Sequence, residues 1–146
     1  MELVIGEPSA RFVSEAMTTM VPEVGPDLTV EDALRLAEET GAHHQLVMDE
    51  GTLVGILCRC DLEEAEPGSF VSDCMSVPVM TIRPDQSLAA AVATMADFEV
   101  GCLPVMAGGL ILGLISEGEL DRAGMAASRS DVRCRCHRRA RLPRLH

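Results

Sequence analysis

The stretch LVMDEGTLVGIL at 46–57 is matched, 58 residues later, by PVMAGGLILGLI at 104–115. Extended outward at the same offset, residues 12–62 align with 70–120 without a gap, and FVSEAM falls on FVSDCM. Thirteen of the 51 aligned positions are identical, and they fall on turn, cap and apolar positions in the same order. The chain of 146 residues is therefore predicted to contain two copies of one structural unit.

Each copy is predicted to fold as β-α-β-β-α. Thr29 and Ser87 follow Pro-Asp turns and are placed as the N-caps of the first helices. Arg59 and Glu117 are expected to begin the second helices. The extended segments are predicted at 21–24, 45–48 and 53–57 in the first copy, and at 79–82, 103–106 and 110–115 in the second.

The apolar pattern predicts how these elements pack. The hairpin strands are apolar at nearly every position, which predicts that both of their faces are buried. One sheet cannot cover its own inner face, so we expect a mixed α/β (α+β) fold in which the tandem β-α-β-β-α repeats pack sheet to sheet about a pseudo-two-fold axis. The segment EEAEPGS at 63–69 is predicted to be the linker. The helix stripes are predicted to contain Val30, Ala33, Leu34 and Ala37, and Leu88, Ala91, Val92, Met95 and Phe98.

Composition narrows the class of function. No window approaches 18 uninterrupted apolar residues, which argues against a membrane span. The first residues lack the basic and apolar segments of a secretory signal, so we expect a cytoplasmic protein whose six Cys are reduced. The G-x-S-x-G, P-loop and H-E-x-x-H motifs are missing from the sequence, which predicts that the protein is not an enzyme.

The C-terminal end differs in charge from the rest of the chain. Residues 129–146 hold seven of the twelve Arg and one of the 23 acidic residues, within a net charge of -11. Such a basic end attracts nucleic acid, whereas the acidic body repels it and only 2% of the residues are aromatic. Nucleic-acid binding is therefore kept as a minor alternative.

The segments that close the two copies, GILCRCDL at 55–62 and GLISEGEL at 113–120, add a specific similarity. Together with the duplication, they resemble the CBS domain family, named after cystathionine β-synthase, over residues 12–125. The chain would then divide into an N-terminal segment at 1–11, a first CBS domain at 12–66, a second CBS domain at 67–126 and an Arg-rich tail at 127–146.

The resemblance implies a regulatory function. Paired CBS domains resemble sensors that bind AMP, ADP, ATP or S-adenosylmethionine in a cleft between the two sheets, with no required cofactor. The chain resembles the stand-alone type, which acts on a separate protein, here unknown. Such pairs commonly form homodimers, and apolar residues left uncovered on the flanking helices near 13–17, 62–65, 71–75 and 119–125 would form the interface.

The resemblance also assigns ligand contacts. The family signature is Gly, two apolar residues, Ser or Thr, two variable residues and Asp. In the first copy Asp61 matches the ribose-binding Asp, Cys58 replaces the hydroxyl residue, and Arg59 could compensate near a phosphate. In the second copy Ser116 matches the hydroxyl residue, and Glu119 replaces Asp. The opposite hypothesis is that these residues only cap helices and that one or both sites are vestigial.

Two further groups would border the ligand in a protein of this family. The adenine would lie against the extended segments, at Val24 in the first copy or at Thr81, Ile82 and Arg83 in the second, although Arg83 is also explained as a solvated turn residue. The turns before the hairpins contribute His43 and His44, or Gly101 and Cys102. A plain surface or core histidine is the simpler interpretation of that pair.

Two groups of cysteines are candidate metal ligands. Cys58 and Cys60, with Cys134, Cys136 and His137, contain C-x-C spacing, which differs from the C-x₂₋₄-C of structural zinc sites. The two groups are also far apart in the chain. On spacing alone we expect no metal site, and a ligand-free dimeric scaffold is the main alternative to a nucleotide sensor.

Overall fold

A computed structural model describes residues 11–77 and 80–125 and divides the chain into two compact units. The first unit contains the described residues from 20 to 80, and the second contains 11–19 and 81–125. In chain order the elements are α1 (Val13–Ala16), β1 (Glu23–Val24), α2 (Val30–Thr40), β2 (His44–Asp49), β3 (Thr52–Cys58), α3 (Arg59–Glu64), α4 (Val71–Cys74), α5 (Leu88–Phe98), β4 (Cys102–Ala107), β5 (Leu110–Ser116) and α6 (Glu117–Arg122).

Each unit is built around one antiparallel hairpin. In the first unit β2 pairs with β3, and β1 adds to β2 in parallel, giving the sheet order β1-β2-β3. In the second unit β4 pairs with β5, and Ile82 forms a parallel bridge to Val105 in place of a third strand. The mixed α+β fold with two small sheets is the fold class expected from the sequence.

The helix starts predicted from the sequence are confirmed. The Thr29 hydroxyl accepts a hydrogen bond from the Asp32 N–H at 3.2 Å, and the Ser87 hydroxyl accepts one from the Ala90 N–H at 3.0 Å. Each cap satisfies a backbone donor that has no partner within its helix. The second helices begin at Arg59 and Glu117, as predicted.

The opening segment of each copy packs with the body of the other copy. Residues of the second copy around Val71 belong to the first unit, and residues of the first copy around Thr18 belong to the second unit. Val71 of α4 lies in the hydrophobic core of the first unit, and Ser76 exchanges two backbone hydrogen bonds with Ile56, of 2.8 and 3.2 Å. In the second unit Thr18 exchanges two backbone hydrogen bonds with Leu114, both of 2.9 Å. The described part of the first unit is therefore one stretch that extends into the second copy, whereas the second unit combines two separate stretches of sequence.

Three predictions need correction, one about the start of the linker and two about burial. The linker begins later than predicted, since Glu63 and Glu64 belong to α3. Both faces of the hairpin strands are not buried throughout, because Leu110 and Leu112 at the start of β5 are 67% and 37% exposed. Phe98 is 41% exposed, because the last turn of α5 extends past the apolar stripe that buries Leu88, Ala91 and Met95.

The first extended segment of each copy is shorter than predicted, whereas the hairpin strands extend one or two residues beyond their predicted ranges. In the first copy the strand is confined to β1, whereas the sequence predicts an extended segment at 21–24. In the second copy Ile82 alone forms a bridge, and residue 79 lies outside the described residues. Residues 127–146 also lie outside them, so the predicted tail receives no structural description.

Candidate functional site

The signature residues of the first copy lie where β3 passes into α3. Cys58 ends the strand and Asp61 lies in the first turn of the helix, with exposures of 0% and 7%. The Asp61 carboxylate accepts a hydrogen bond from the Cys58 N–H at 3.4 Å. The carboxylate therefore caps its own helix, through a bond near the upper limit of length.

The matching residues of the second copy also cap their helix. Glu119 Oε1 accepts a hydrogen bond from the Ser116 N–H at 2.8 Å and another from the Ser116 hydroxyl. Glu119 Oε2 accepts one from Arg122 Nη2 at 3.2 Å. A ligand that bound both side chains would have to replace these bonds, which favours a capping function for Ser116 and Glu119.

Arg59 is engaged by acidic side chains of its own unit. Its Nε donates to Glu63 Oε2 at 3.1 Å, and Nη2 lies 3.6 Å from Glu38 Oε2. Its predicted contact with a phosphate would compete with both carboxylates. The residue at the same place in the second copy is the acidic Glu117, so the two copies differ in charge at the first helical residue.

Backbone pairing brings the histidine turn to the signature. His44 pairs with Cys58 at the end of the β2–β3 ladder, and the Arg59 N–H donates to the His43 carbonyl oxygen at 2.8 Å. The His43 and His44 rings meet edge to face, with centroids 4.8 Å apart. Five predicted residues of the first copy, His43, His44, Cys58, Arg59 and Asp61, therefore lie at one end of one hairpin.

The second copy repeats this backbone arrangement. Cys102 pairs with Ser116, and the Glu117 N–H donates to the Gly101 carbonyl oxygen at 3.1 Å. Cys102 is buried, with an exposure of 3%. The predicted residues Gly101, Cys102, Ser116 and Glu119 are therefore neighbours, although Gly101 offers no side chain.

The predicted adenine contacts fall into buried and exposed groups. Val24 and Ile82 are buried, with exposures of 7% and 3%, while Thr81 and Arg83 are exposed. Arg83 donates to both carboxylate oxygens of Asp85, at 3.1 and 3.2 Å, and this hydrogen-bonded pairing lowers the pKa of Asp85 and raises the pKa of Arg83. The geometry favours the interpretation of Arg83 as a turn residue.

Cys60 is a neighbour that the sequence analysis did not connect with the histidines. One potential ligand atom each of His43, Cys58 and Cys60 lies within 4.8 Å of the other two. The sequence suggested only tail residues as further ligands, and these lie outside the described residues. The pairing register of the predicted hairpin is the signal that could have connected His43 with the two thiols.

Cys74 provides a test of the local electrostatics. Burial, with smaller contributions from the charges of Asp61 and Asp73, raises the pKa of Cys74 to about 11. At pH 8 we expect iodoacetamide to modify it about tenfold more slowly in the folded than in the urea-unfolded chain, because a lower thiolate fraction outweighs the higher nucleophilicity of that thiolate. Mass spectrometry of timed digests measures both rates, and equal rates would contradict the prediction.

The comparisons with known proteins point to one family. The profile described as CBS domain matches residues 13–68 and 71–126. The chain is similar to the CBS domain-containing protein YhcV of Bacillus subtilis, with 27% identity over 114 residues that cover 74% of this chain and 81% of YhcV. Among solved structures it is similar to the CBS domain protein NE2398, with 26% identity and a TM-score of 0.70, covering 76% of this chain and 94% of that one.

Two further similarities concern ligands and enzymes. CBSX2, solved in complex with AMP, is 27% identical with a TM-score of 0.66, and the match covers 78% of this chain and 96% of CBSX2. An inosine-5'-monophosphate dehydrogenase of Korarchaeum cryptofilum is 36% identical over 112 residues, which are 73% of this chain. The chain spans only 24% of that enzyme, so this similarity does not extend over the enzyme as a whole.

Among the described residues, no helix combines the length and the apolar character that crossing a bilayer requires.

Proposed function

The chain belongs to the CBS domain family, and from this premise we propose that it is a regulatory module that binds an adenosine-containing ligand, such as AMP, ADP, ATP or S-adenosylmethionine, and is not itself an enzyme. CBS-pair proteins are regulatory, and the similar protein CBSX2 was solved with AMP. The observation that carries the proposal is Asp61, the signature carboxylate, at the junction of β3 and α3.

Asp61 is the better of the two candidate ribose-binding groups. A carboxylate has enough acceptor sites to bind two neighbouring ribose hydroxyls. Asp61 matches the signature Asp, whereas Glu119 is one methylene longer and would have to exchange its bonds to Ser116 and Arg122 for bonds to ribose. We therefore place the principal ligand contact of the proposed function in the first unit.

Thermal unfolding of the full chain with added ligand tests the proposal. AMP, ADP, ATP, S-adenosylmethionine and NAD are each added at about 100 times a micromolar Kd, where binding to the folded state stabilises it by about 2.7 kcal/mol. We expect at least one adenosine compound to raise the melting temperature, and adenine without ribose to have no effect. No shift with any of the five compounds would overturn the proposal.

A ligand-free scaffold is the second candidate function. Hydrogen bonds between Ser116 and Glu119 favour it, because they show these signature residues acting as a helix cap. Such a scaffold would bind its partner equally well with and without nucleotide. The same thermal experiment separates the two functions, since a scaffold predicts no shift.

A homodimer belongs to the proposed function, although the sequence argument for it needs correction. Apolar residues of the flanking helices, such as Val13, Leu62 and Leu120, are 0 to 2% exposed within one chain. The exposed apolar side chains beside these helices are instead Phe12 and Phe70, at 45% and 46%. These duplicated phenylalanines support the proposed interface.

Sedimentation of a double variant tests the dimer. We expect the parent chain at micromolar concentration to sediment at twice its 15.6 kDa mass, and Phe12→Ser/Phe70→Ser to shift toward the monomer. Serine is favoured at these N-cap positions, so the helices should persist. Leu110→Ser, at an exposed hairpin end, serves as the control. A monomeric parent, or a fully dimeric double variant, would contradict the prediction.

The partner and the compartment complete the proposed function. The proposed partner is the protein that this module regulates. The proposed compartment is the cytoplasm, where reducing conditions keep cysteines as thiols.

A further inference from the structure

Three side chains that commonly bind transition metals meet at one end of the first hairpin. His43, Cys58 and Cys60 each present one ligand atom, and these three atoms lie within 4.8 Å of one another. Cys58 is buried, Cys60 is half-buried and His43 is exposed, so the group extends from the interior to the surface. All three belong to the first unit.

The backbone holds these side chains together. Cys58 pairs with His44 in the β2–β3 ladder, which places the residue before His44 beside the residue after Cys58. The Arg59 N–H then donates to the His43 carbonyl oxygen at 2.8 Å. Cys58 lies in β3, Cys60 lies in α3, and this hydrogen bond holds the His43 backbone beside them, so binding an ion would require little ordering of the chain.

We propose that His43, Cys58 and Cys60 form a zinc-binding site with one nitrogen and two sulfur ligands. Zn²⁺ binds thiolates at about 2.3 Å and imidazole nitrogen at about 2.0 Å, which in a tetrahedral site puts ligand atoms roughly 3.5 to 3.8 Å apart. The three atoms therefore need to approach by about 1 Å, and the exposed His43 ring can make that movement. Two thiolates and a neutral imidazole balance the charge of the ion and leave the fourth position for water or an external ligand.

The second unit provides an internal comparison. At the three corresponding positions it has Gly101, Ser116 and Gly118, none of which is a usual zinc ligand. The backbone bond that joins the two segments is nevertheless retained, from the Glu117 N–H to the Gly101 carbonyl oxygen at 3.1 Å. The same scaffold therefore carries the full ligand set in one copy and none of it in the other.

The surrounding charges are compatible with a cation. Arg59 lies between the two cysteines in sequence, and its guanidinium is paired with Glu63 at 3.1 Å and lies 3.6 Å from Glu38. Two carboxylates thus offset the nearest positive charge. Asp61, directly after Cys60, adds another negative charge at the start of α3.

Zinc alone is the probe in the test, without nucleotide, so that its result is independent of the proposed function. The tail contains Cys134, Cys136 and His137, so the reference protein is the full chain with Cys134→Ser and Cys136→Ser. The reduced reference competes with a chromophoric chelator for Zn²⁺. We expect one ion per chain, and a Co²⁺-loaded sample should show thiolate-to-cobalt charge-transfer absorption.

Substitutions in the reference identify the ligands. We expect Cys58→Ser and Cys60→Ala each to weaken zinc binding at least tenfold and to remove most of the charge-transfer band, and His43→Gln to weaken binding while retaining the band. Ser is the residue of the second copy at the Cys58 position, which favours folding of that variant, and circular dichroism verifies it. Cys74→Ser is the matched control and should bind zinc like the reference, because Cys74 is outside the group.

Three outcomes would overturn the proposal. The first is a reference protein that binds no zinc at micromolar concentrations. The second is a folded Cys58→Ser or Cys60→Ala variant that retains the affinity of the reference. The third is an equal loss of affinity in Cys74→Ser.

Discussion

Replacing Gly113 with alanine will destabilise the protein by about 3 kcal/mol, from overpacking and the loss of hydrogen bonds. A Cβ at this position would collide with the carbonyl oxygen of Thr18, a backbone atom that cannot rotate away. Thr18 and Leu114 exchange two backbone hydrogen bonds of 2.9 Å at the same place, so any shift that relieves the collision weakens both. Urea denaturation of the full chain measures the loss.

Two other glycines are matched controls. Gly55 occupies the corresponding position in the first copy, but its added Cβ would meet the flexible side chain of Met75, so Gly55→Ala should cost about 1 kcal/mol. Gly118 lies in α6 and has only ordinary contacts, so Gly118→Ala should be neutral or stabilise by about 0.5 kcal/mol. Equal destabilisation by Gly113→Ala and Gly55→Ala would contradict the argument from backbone contact.

The second large effect is expected on ligand affinity. Asp61→Ala should weaken binding of the adenosine compound found by thermal shift by about 1 to 3 kcal/mol, or five- to 150-fold, because two ribose hydroxyls lose their acceptor. Arg83→Ala should change the affinity much less, because Arg83 is exposed and already paired with Asp85. Isothermal titration of each variant with the same ligand measures the difference.

Glu119→Ala is the control for the choice of unit. We expect it to leave the affinity nearly unchanged, since Glu119 is bound to Ser116 and Arg122. If Asp61→Ala impairs folding by removing a helix cap, Asp61→Asn takes its place as the test variant, because it keeps the size of the side chain and one carbonyl acceptor. Parent affinity in folded Asp61→Ala would exclude the first unit as the site, and a larger loss in Glu119→Ala would assign it to the second.

Local sequence signals predicted the elements of the fold well. Thr29 and Ser87 could be placed as caps because a hydroxyl residue directly before an apolar helical stripe can accept a hydrogen bond from a backbone N–H of the first helical turn. The exposure of Leu110 and Leu112 could not be predicted, because an unbroken apolar run does not show which end of a strand extends beyond its cover. The joining of Val71 to the first core depends on contacts between distant segments, which no local pattern encodes.

The sequence identified the residues of the candidate site better than it predicted the interactions between them. The signature spacing identified Asp61 and Glu119, but it could not show that Glu119 is occupied by Ser116 and Arg122. The approach of His43 to Cys58 and Cys60 was also missed. The spacing along the chain reveals only the C-x-C pair of Cys58 and Cys60. His43 lies beside them because of the pairing register of the β2–β3 hairpin, which the spacing does not show.

The exchange of opening segments affects when each unit can fold during synthesis, because each unit needs residues from both copies. The first unit cannot fill its core until Val71 has left the ribosome, and the segment around Thr18 must wait for β5, almost a hundred residues later. Such distant closures slow folding and expose apolar surface in the meantime. A cut between residues 66 and 67 would separate Val71 from the first core and the Thr18 segment from β5, so each fragment would lack a segment that completes its own unit.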